Sequence, residues 1–249
     1  MMTPKEFFQA NKKVALAFSG GVDSAYLLYL AKFYNADVTA YFVKSQFQPE
    51  FEYQDAVRLA KELDASLKVL HVDVLENSDV RKNPDNRCYY CKKTIFSRIC
   101  EEAKKDGYDV IMDGTNASDD LSERPGAKAL QEMQVLSPLR LCNLTKDDIR
   151  KKSKEANLFT WDKPAYACLA TRIKPNEMIT ETALKKVELA EGILFSLGFS
   201  DFRVRVSKNR ASIVLREEEV SLYHRFEEKI TEEFLNLFDE VELSPIRRR

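Results

Sequence analysis

Ser19-Gly20-Gly21-Val22-Asp23-Ser24 is a run whose residue types suit an anion. Two adjacent glycines permit positive φ and close backbone approach, so main-chain N–H groups can turn inward on a phosphate. Ser19 and Ser24 add hydroxyl donors. Asp23 carries the wrong charge for a phosphate unless a cation sits beside it. It therefore implies Mg²⁺ or a helix-capping role. The spacing is neither GxxxxGK[ST] nor GxGxxG. The plain alternative is a tight turn capped by Asp23 or Ser24, which does not need this combination of residues.

Thiols form the second group. The cysteines are Cys88, Cys91, Cys100, Cys142 and Cys168. Cys88 and Cys91 make a CxxC pair, which in an intracellular-looking chain points to metal or redox chemistry rather than a disulfide framework. Structural zinc is one reading, but it needs further ligands, and His71 and His224 lack ligand spacing. Cys100, beside Ile99 and near Phe96, reads as core, as does Cys142. Arg203 and Arg205 alternate on a strand and so share a face, which suits a phosphate; an exposed edge is the alternative. Asp113-Gly114-Thr115-Asn116 ends a strand at the carboxyl edge of a sheet, where open α/β folds bind ligands. Arg124, before Pro125-Gly126, falls in the same expected cleft.

These residues need a scaffold, and the hydrophobic pattern supplies one. A buried strand at 14–18 leads through the glycine loop into a helix at 24–34. Strands at 38–43 and 67–72 flank a helix at 51–63. A helix at 93–105, a strand at 110–112, a short helix at 127–132, a strand at 135–136 and a helix at 146–156 continue the series. Strands alternating with helices predict a parallel sheet covered on both faces. The pattern then changes to a helix at 181–197, strands at 202–206 and 211–215, a helix at 217–237 and a strand at 240–243. That order suggests a small α+β domain with an antiparallel sheet. The expected domains are 1–174 and 175–249, divided near Pro175.

The 249 residues suit one full domain and a small one. The charged share is 32% and the net charge is -1, which argues against an extended nucleic-acid-coating surface. No apolar run approaches the length of a bilayer span, and the N-terminus shows no signal-peptide pattern. A cytoplasmic protein without a membrane partner is expected.

The SGGVDS run resembles the PP-loop of the N-type ATP pyrophosphatases. Three further stretches narrow the resemblance: Asn86-Arg-Cys-Tyr-Tyr-Cys-Lys-Lys93, Asp113-Gly-Thr-Asn-Ala-Ser-Asp-Asp120 with Arg124-Pro-Gly126, and Trp161-Asp-Lys-Pro-Ala-Tyr-Ala-Cys-Leu-Ala-Thr-Arg172. Together they resemble the LarE family of ATP-dependent sulfur transferases over most of the chain. The resemblance implies an adenine-nucleotide α-hydrolase-like fold, ATP with Mg²⁺, and a small nucleotide substrate, pyridinium-3,5-biscarboxylic acid mononucleotide. Its carboxylate is adenylated, pyrophosphate leaves, and sulfur replaces AMP, giving a thiocarboxylate for the nickel-pincer nucleotide. Ser19, Gly20, Gly21, Asp23, Ser24, Gly114, Thr115 and Arg124 are the implied nucleotide-binding residues. Arg203 and Arg205 are implied for the substrate phosphate, and Tyr89 as an aromatic that stacks on a ring, against the alternative of simply covering its loop. Cys168 aligns with the sulfur-bearing cysteine. In one branch of the family it gives up its own sulfur and becomes dehydroalanine. In another, three cysteines hold a [4Fe-4S] cluster carrying exchangeable sulfide, and Cys88, Cys91 and Cys168 resemble that set. Glu191 matches an acidic metal-site position of the sacrificial branch, whereas Ile213 and Val214 stand where that branch places another carboxylate. A cluster-dependent tRNA thiolase and a nucleotide-binding regulator without turnover are the competing readings. A homo-oligomer is expected.

Overall fold

The structure, a computed structural model, describes residues 2–121 and 125–245. Arg124, one of the expected cleft residues, lies outside them. The chain forms two compact units. The first comprises Met1–Asn77 and Asn86–Ala165, the second Ser78–Asp85 and Tyr166–Arg249.

In the first unit, α1 (Pro4–Ala10) leads to β1 (Lys13–Phe18), α2 (Val22–Phe33), β2 (Asp37–Lys44), α3 (Glu50–Glu62) and β3 (Ser66–His71). The short α4 (Ser78–Arg81) belongs to the second unit. The first unit resumes with α5 (Arg87–Lys105), β4 (Ile111–Met112), α6 (Pro125–Glu132), α7 (Pro138–Leu141) and α8 (Lys146–Glu155). The strands form a parallel sheet in the order β3-β2-β1-β4, and Leu136 extends it by a bridge to Met112. Successive β1 side chains point to opposite faces, as a strand requires. Val14, Leu16 and Phe18 join a core with Ala25, Leu28 and Ala31 of α2 and Ile149 of α8. Ala15 joins Phe96, Ile99 and Ala103 of α5 on the other face. Both faces of the inner strands β1 and β2 are thus covered, which is why they read as continuous apolar runs, while the edge strand β3 is only partly buried. The parallel α/β sheet inferred from the sequence is the one observed.

The α1 helix escapes hydrophobic periodicity because it is short. Its signal is local: Thr3 and Glu6 form a capping box, with Pro4 at the first helical position. The α5 helix starts at Arg87, not near residue 93, so the CxxC pair lies within its first turns.

The second unit adds α9 (Glu181–Ser196), β5 (Arg203–Ser207), β6 (Arg210–Val214), α10 (Val220–Leu235) and β7 (Glu240–Leu243). Asn83 joins this unit through its side-chain amide, which donates to the Lys174 carbonyl. Lys208 and Asn209 both have positive φ, so β5 and β6 form a tight antiparallel hairpin. An all-antiparallel sheet is the sequence expectation, but β6 pairs with β7 in parallel. The reason is topological: α10 carries the chain back across the sheet, so β7 enters in the same direction as β6.

Candidate active site

The sheet of the first unit places two loops side by side. β1 leads into β2 on one flank, while β4 lies on the other. The carboxyl ends of β1 and β4 therefore flank a topological switch point, the usual crevice for a ligand in an open α/β sheet. Ser19-Gly20-Gly21 leaves β1 there, and Asp113-Gly114-Thr115-Asn116 leaves β4.

Gly20 has φ +72, and a Cβ on it would stand 3.2 Å from the Glu52 carbonyl oxygen and 3.3 Å from the Ala56 Cα. Both conformation and the backbone of α3 require glycine. Gly21 is the N-cap of α2 and contributes no side-chain cap, so neither Asp23 nor Ser24 caps the helix. The first amides of α2 face the loop without an intrahelical partner. The Ser24 hydroxyl instead ties the loop together. It donates to the Gly21 carbonyl at 3.2 Å and accepts from the Ser19 N–H at 3.3 Å. The Ser19 hydroxyl lies 3.1 Å from it. The arrangement has the backbone form that suits an anion, with the Gly21 N–H bonded to the Ser19 hydroxyl at 3.4 Å.

Gly114 joins the two loops. A Cβ there would sit 3.0 Å from the Ser24 backbone nitrogen. Backbone cannot swing aside as a flexible side chain can. Gly114→Ala is therefore expected to push the loops apart and weaken ATP binding about tenfold, at an overpacking cost of roughly 1–3 kcal/mol. Calorimetric titration with a non-hydrolysable ATP analogue measures this; unchanged affinity would show that the DGTN loop does not shape the nucleotide site.

Asp23 has two partners. Its Oδ1 accepts from Asn116 Nδ2 at 3.2 Å, and its Oδ2 pairs with Lys146 Nζ at 2.6 Å. Lys146, the first residue of α8, escapes sequence reasoning because nothing local marks a contact this remote along the chain. Asn116 is buried and also accepts from the Ser118 N–H. Buried Asp113 accepts from the Thr115 N–H at 3.2 Å, the Thr115 hydroxyl at 2.5 Å and the Ser137 hydroxyl at 2.7 Å. Thr115 thus spends its hydroxyl hydrogen within the loop and keeps accepting capacity for a ligand.

A cleft of about 850 Å³ opens beside this loop, lined by Thr115, Tyr89, Tyr90, Lys128, Ser137 and Arg140 among others. Tyr89 donates its hydroxyl hydrogen to Glu132 at 2.9 Å. The Lys93 and Lys128 amines lie 5.4 and 5.9 Å from its ring centre. Cys88 and Cys91 stand one turn apart on α5, so they share a face. Cys88 is exposed, and the Arg87 guanidinium lies 3.7 Å from its sulfur. Burial pushes the Cys100 and Cys142 thiols above their ordinary range; Cys142 lies in a core cluster, and the half-buried Cys100 packs against the other. Among the described residues, no group of three His, Cys, Asp or Glu side chains is assembled as a metal site. Two thiols on one helical turn are nonetheless suitable cluster donors, and a single carboxylate suits Mg²⁺, which takes most of its ligands from phosphates and water.

Cys168 belongs to the second unit and precedes a 3₁₀ turn at Leu169–Arg172. Arg203 and Arg205 share one face of β5, while Val204 and Val206 are buried on the other. Arg203 donates to the Phe202 carbonyl at 2.6 Å and lies 5.4 Å from the Tyr166 ring centre. Arg205 lines a cleft of about 570 Å³ with Lys174, Ser207 and Ser212, whereas Arg203 is not among its lining residues. The acidic metal-site reading of Glu191 is corrected by its bonding. The buried carboxylate accepts from Arg172, from the Val204 N–H and from the Tyr166 hydroxyl, which fills its acceptor sites.

An asparagine synthase family model matches residues 5–122, the span holding both loops and the α5 cysteines. The pyridinium-3,5-bisthiocarboxylic acid mononucleotide synthase of Lactiplantibacillus plantarum is 31% identical over 91% of this chain and 83% of its own. The chain belongs to the LarE family. An uncharacterized protein of Methanocaldococcus jannaschii is 35% identical over 91% of this chain and 86% of its own. The tRNA-specific 2-thiouridylase MnmA of Thermotoga petrophila is 27% identical over 59% of this chain and 52% of its own, a more distant likeness. LarE membership makes the chain an ATP-using enzyme of the PP-loop class. No helix among the described residues is long and apolar enough to cross a membrane.

Proposed function

We propose that this chain replaces a carboxylate oxygen by sulfur in pyridinium-3,5-biscarboxylic acid mononucleotide. The observation that carries the reading is its likeness, along nearly its whole length, to a synthase of the corresponding thiocarboxylate. The glycine loop at Gly20 supports the ATP half of the chemistry.

The reaction has two balanced steps. A substrate carboxylate oxygen attacks the α-phosphorus of ATP, the α–β bridge bond breaks, and pyrophosphate leaves. Sulfide then attacks the resulting mixed anhydride and AMP leaves with the carboxylate oxygen. Adenylation is needed because a carboxylate is a poor electrophile. The N–H groups at the start of α2, with Ser19 and Ser24, hold the departing pyrophosphate. Asp23 would hold Mg²⁺, which supplies charge neutralisation for the leaving group. Lys146 adds a positive charge beside it.

Cys88, Cys91 and Cys168 would hold a [4Fe-4S] cluster, whose fourth iron offers a site for exchangeable sulfide. Thr115, Tyr89 and Arg140 suit the ring and anionic groups of the acceptor. Arg205 suits its phosphate.

The test is anaerobic incubation with ATP, sulfide and the dicarboxylate nucleotide. The expected product gains the mass difference between sulfur and oxygen, with pyrophosphate released in proportion. The MnmA likeness motivates the alternative acceptor, a tRNA base. Loss of one thiolated nucleoside in a deletion strain, with intact nickel-cofactor synthesis, would favour that acceptor instead.

A further inference from the structure

The second unit contains a fully buried ion pair that the reaction above does not use. The Arg172 and Glu191 side chains are 1% and 2% exposed. Arg172 Nε donates to Glu191 Oε1 at 2.6 Å, and Nη2 donates to Oε2 at 3.2 Å. The other terminal nitrogen, Nη1, donates to the Ala167 carbonyl at 3.0 Å and to the Thr171 hydroxyl at 2.8 Å. Glu191 also accepts from the Tyr166 hydroxyl and from the Val204 N–H at 3.0 Å. The guanidinium carbon lies 4.7 Å from the Tyr166 ring centre. Thr171 closes the loop, donating its N–H at 3.0 Å and its hydroxyl at 2.8 Å to the Cys168 carbonyl.

Burying two charges is costly, and an apolar pair of similar volume would join α9 to the 3₁₀ turn at Leu169–Arg172 at least as well. What an ion pair adds is direction. Each bond that leaves the pair ends on a residue bracketing Cys168 or on the adjacent strand: Tyr166 and Ala167 before it, Thr171 after it, Val204 beside it. The planar fork of arginine holds Glu191, Ala167 and Thr171 at once, which a lysine cannot do, and Glu191 so held takes Tyr166 and Val204.

We infer that Arg172, locked by Glu191, is the positioning residue of the Cys168 thiol. Its consequence for catalysis rests on the sulfur-transfer reading, but the positioning itself does not. The pair holds both flanks of the cysteine, so the sulfur is presented from one fixed backbone conformation.

The test uses full-length, reduced, metal-free protein. Iodoacetamide alkylation of each cysteine is followed by peptide mass spectrometry, and hydrogen exchange is read over residues 166–172. Tyr166→Phe keeps the ring and removes one bond to a charged group. Arg172→Lys keeps the charge and loses the fork. Both are expected to raise the Cys168 alkylation rate about tenfold, on the scale of one such bond, and to speed exchange of that segment. Cys88 alkylation and ATP affinity should not move. In the loaded enzyme, kcat for sulfur transfer should fall with the KM for ATP unchanged. If Arg172→Lys does not fold, Tyr166→Phe carries the test. Unchanged Cys168 alkylation and exchange in folded variants would overturn the inference and leave the pair a support between α9 and the 3₁₀ turn. If Cys168 reactivity responds while Cys168→Ala keeps full sulfur transfer, the positioning stands and the sulfur reading fails.

Discussion

Replacing Asp23 by alanine is expected to lower ATP-dependent pyrophosphate release by at least ~10²-fold, the scale of removing one preorganised electrostatic contact. The fold should survive. The Asp23–Lys146 pair is partly exposed, with side chains 24% and 32% accessible, so its loss should cost no more than about 1 kcal/mol. Neither residue supplies apolar core. The geometry also predicts how related variants rank. Asp23→Asn keeps the shape that Asn116 contacts but removes the charge, so it should lose nearly as much activity as alanine. Lys146→Met should lose less, because Asp23 and its metal-binding capacity remain, and its loss should narrow as Mg²⁺ rises. Release rates are read by coupled pyrophosphate assay, and folding by thermal melts. Wild-type release in Asp23→Ala would remove the aspartate from the chemistry.

The parallel sheet was legible because its inner strands are buried on both faces and its helices alternate with its strands. Val14 to Phe18 reads as a strand at a glance, and the following glycine loop follows from residue types alone. What stayed hidden is what depends on pairing remote in sequence. Lys146 looks like one more surface lysine until α8 is placed beside the glycine loop. Glu191 looks like a metal ligand by likeness, but Arg172, Tyr166 and the Val204 amide occupy it. The parallel pairing of β7 depends on how α10 crosses the sheet, which periodicity does not record. Short helices such as α1 and α7 are too brief for a periodic signal, and the Thr3–Glu6 capping box alone marks the first.

Substitution of the cysteines decides where the sulfur comes from. Cys88→Ala, Cys91→Ala and Cys168→Ala are each expected to abolish sulfur transfer and the broad brown absorbance of anaerobically purified protein, while ATP binding at the glycine loop persists. Wild-type protein should carry about four irons per chain. The expectation rests on ligand arithmetic: three thiolates leave one iron for a non-protein sulfide, and removing any one breaks the set. Cys100→Ala and Cys142→Ala should keep both iron and activity, since burial holds those thiols protonated and packed in or against the core. The sacrificial route predicts a different pattern. There the Cys168 thiolate attacks the acyl-adenylate and AMP leaves. The thioester's Cα proton is then removed, and the Cβ–S bond breaks to give the thiocarboxylate and dehydroalanine. The protein would lose the mass of one H₂S after a single turnover, and Cys88→Ala and Cys91→Ala would remain active while Cys168→Ala was dead. That outcome would replace the cluster with a consumed cysteine. A colourless wild-type protein holding one zinc per chain would overturn the cluster route, make the CxxC pair structural and leave only the route through Cys168.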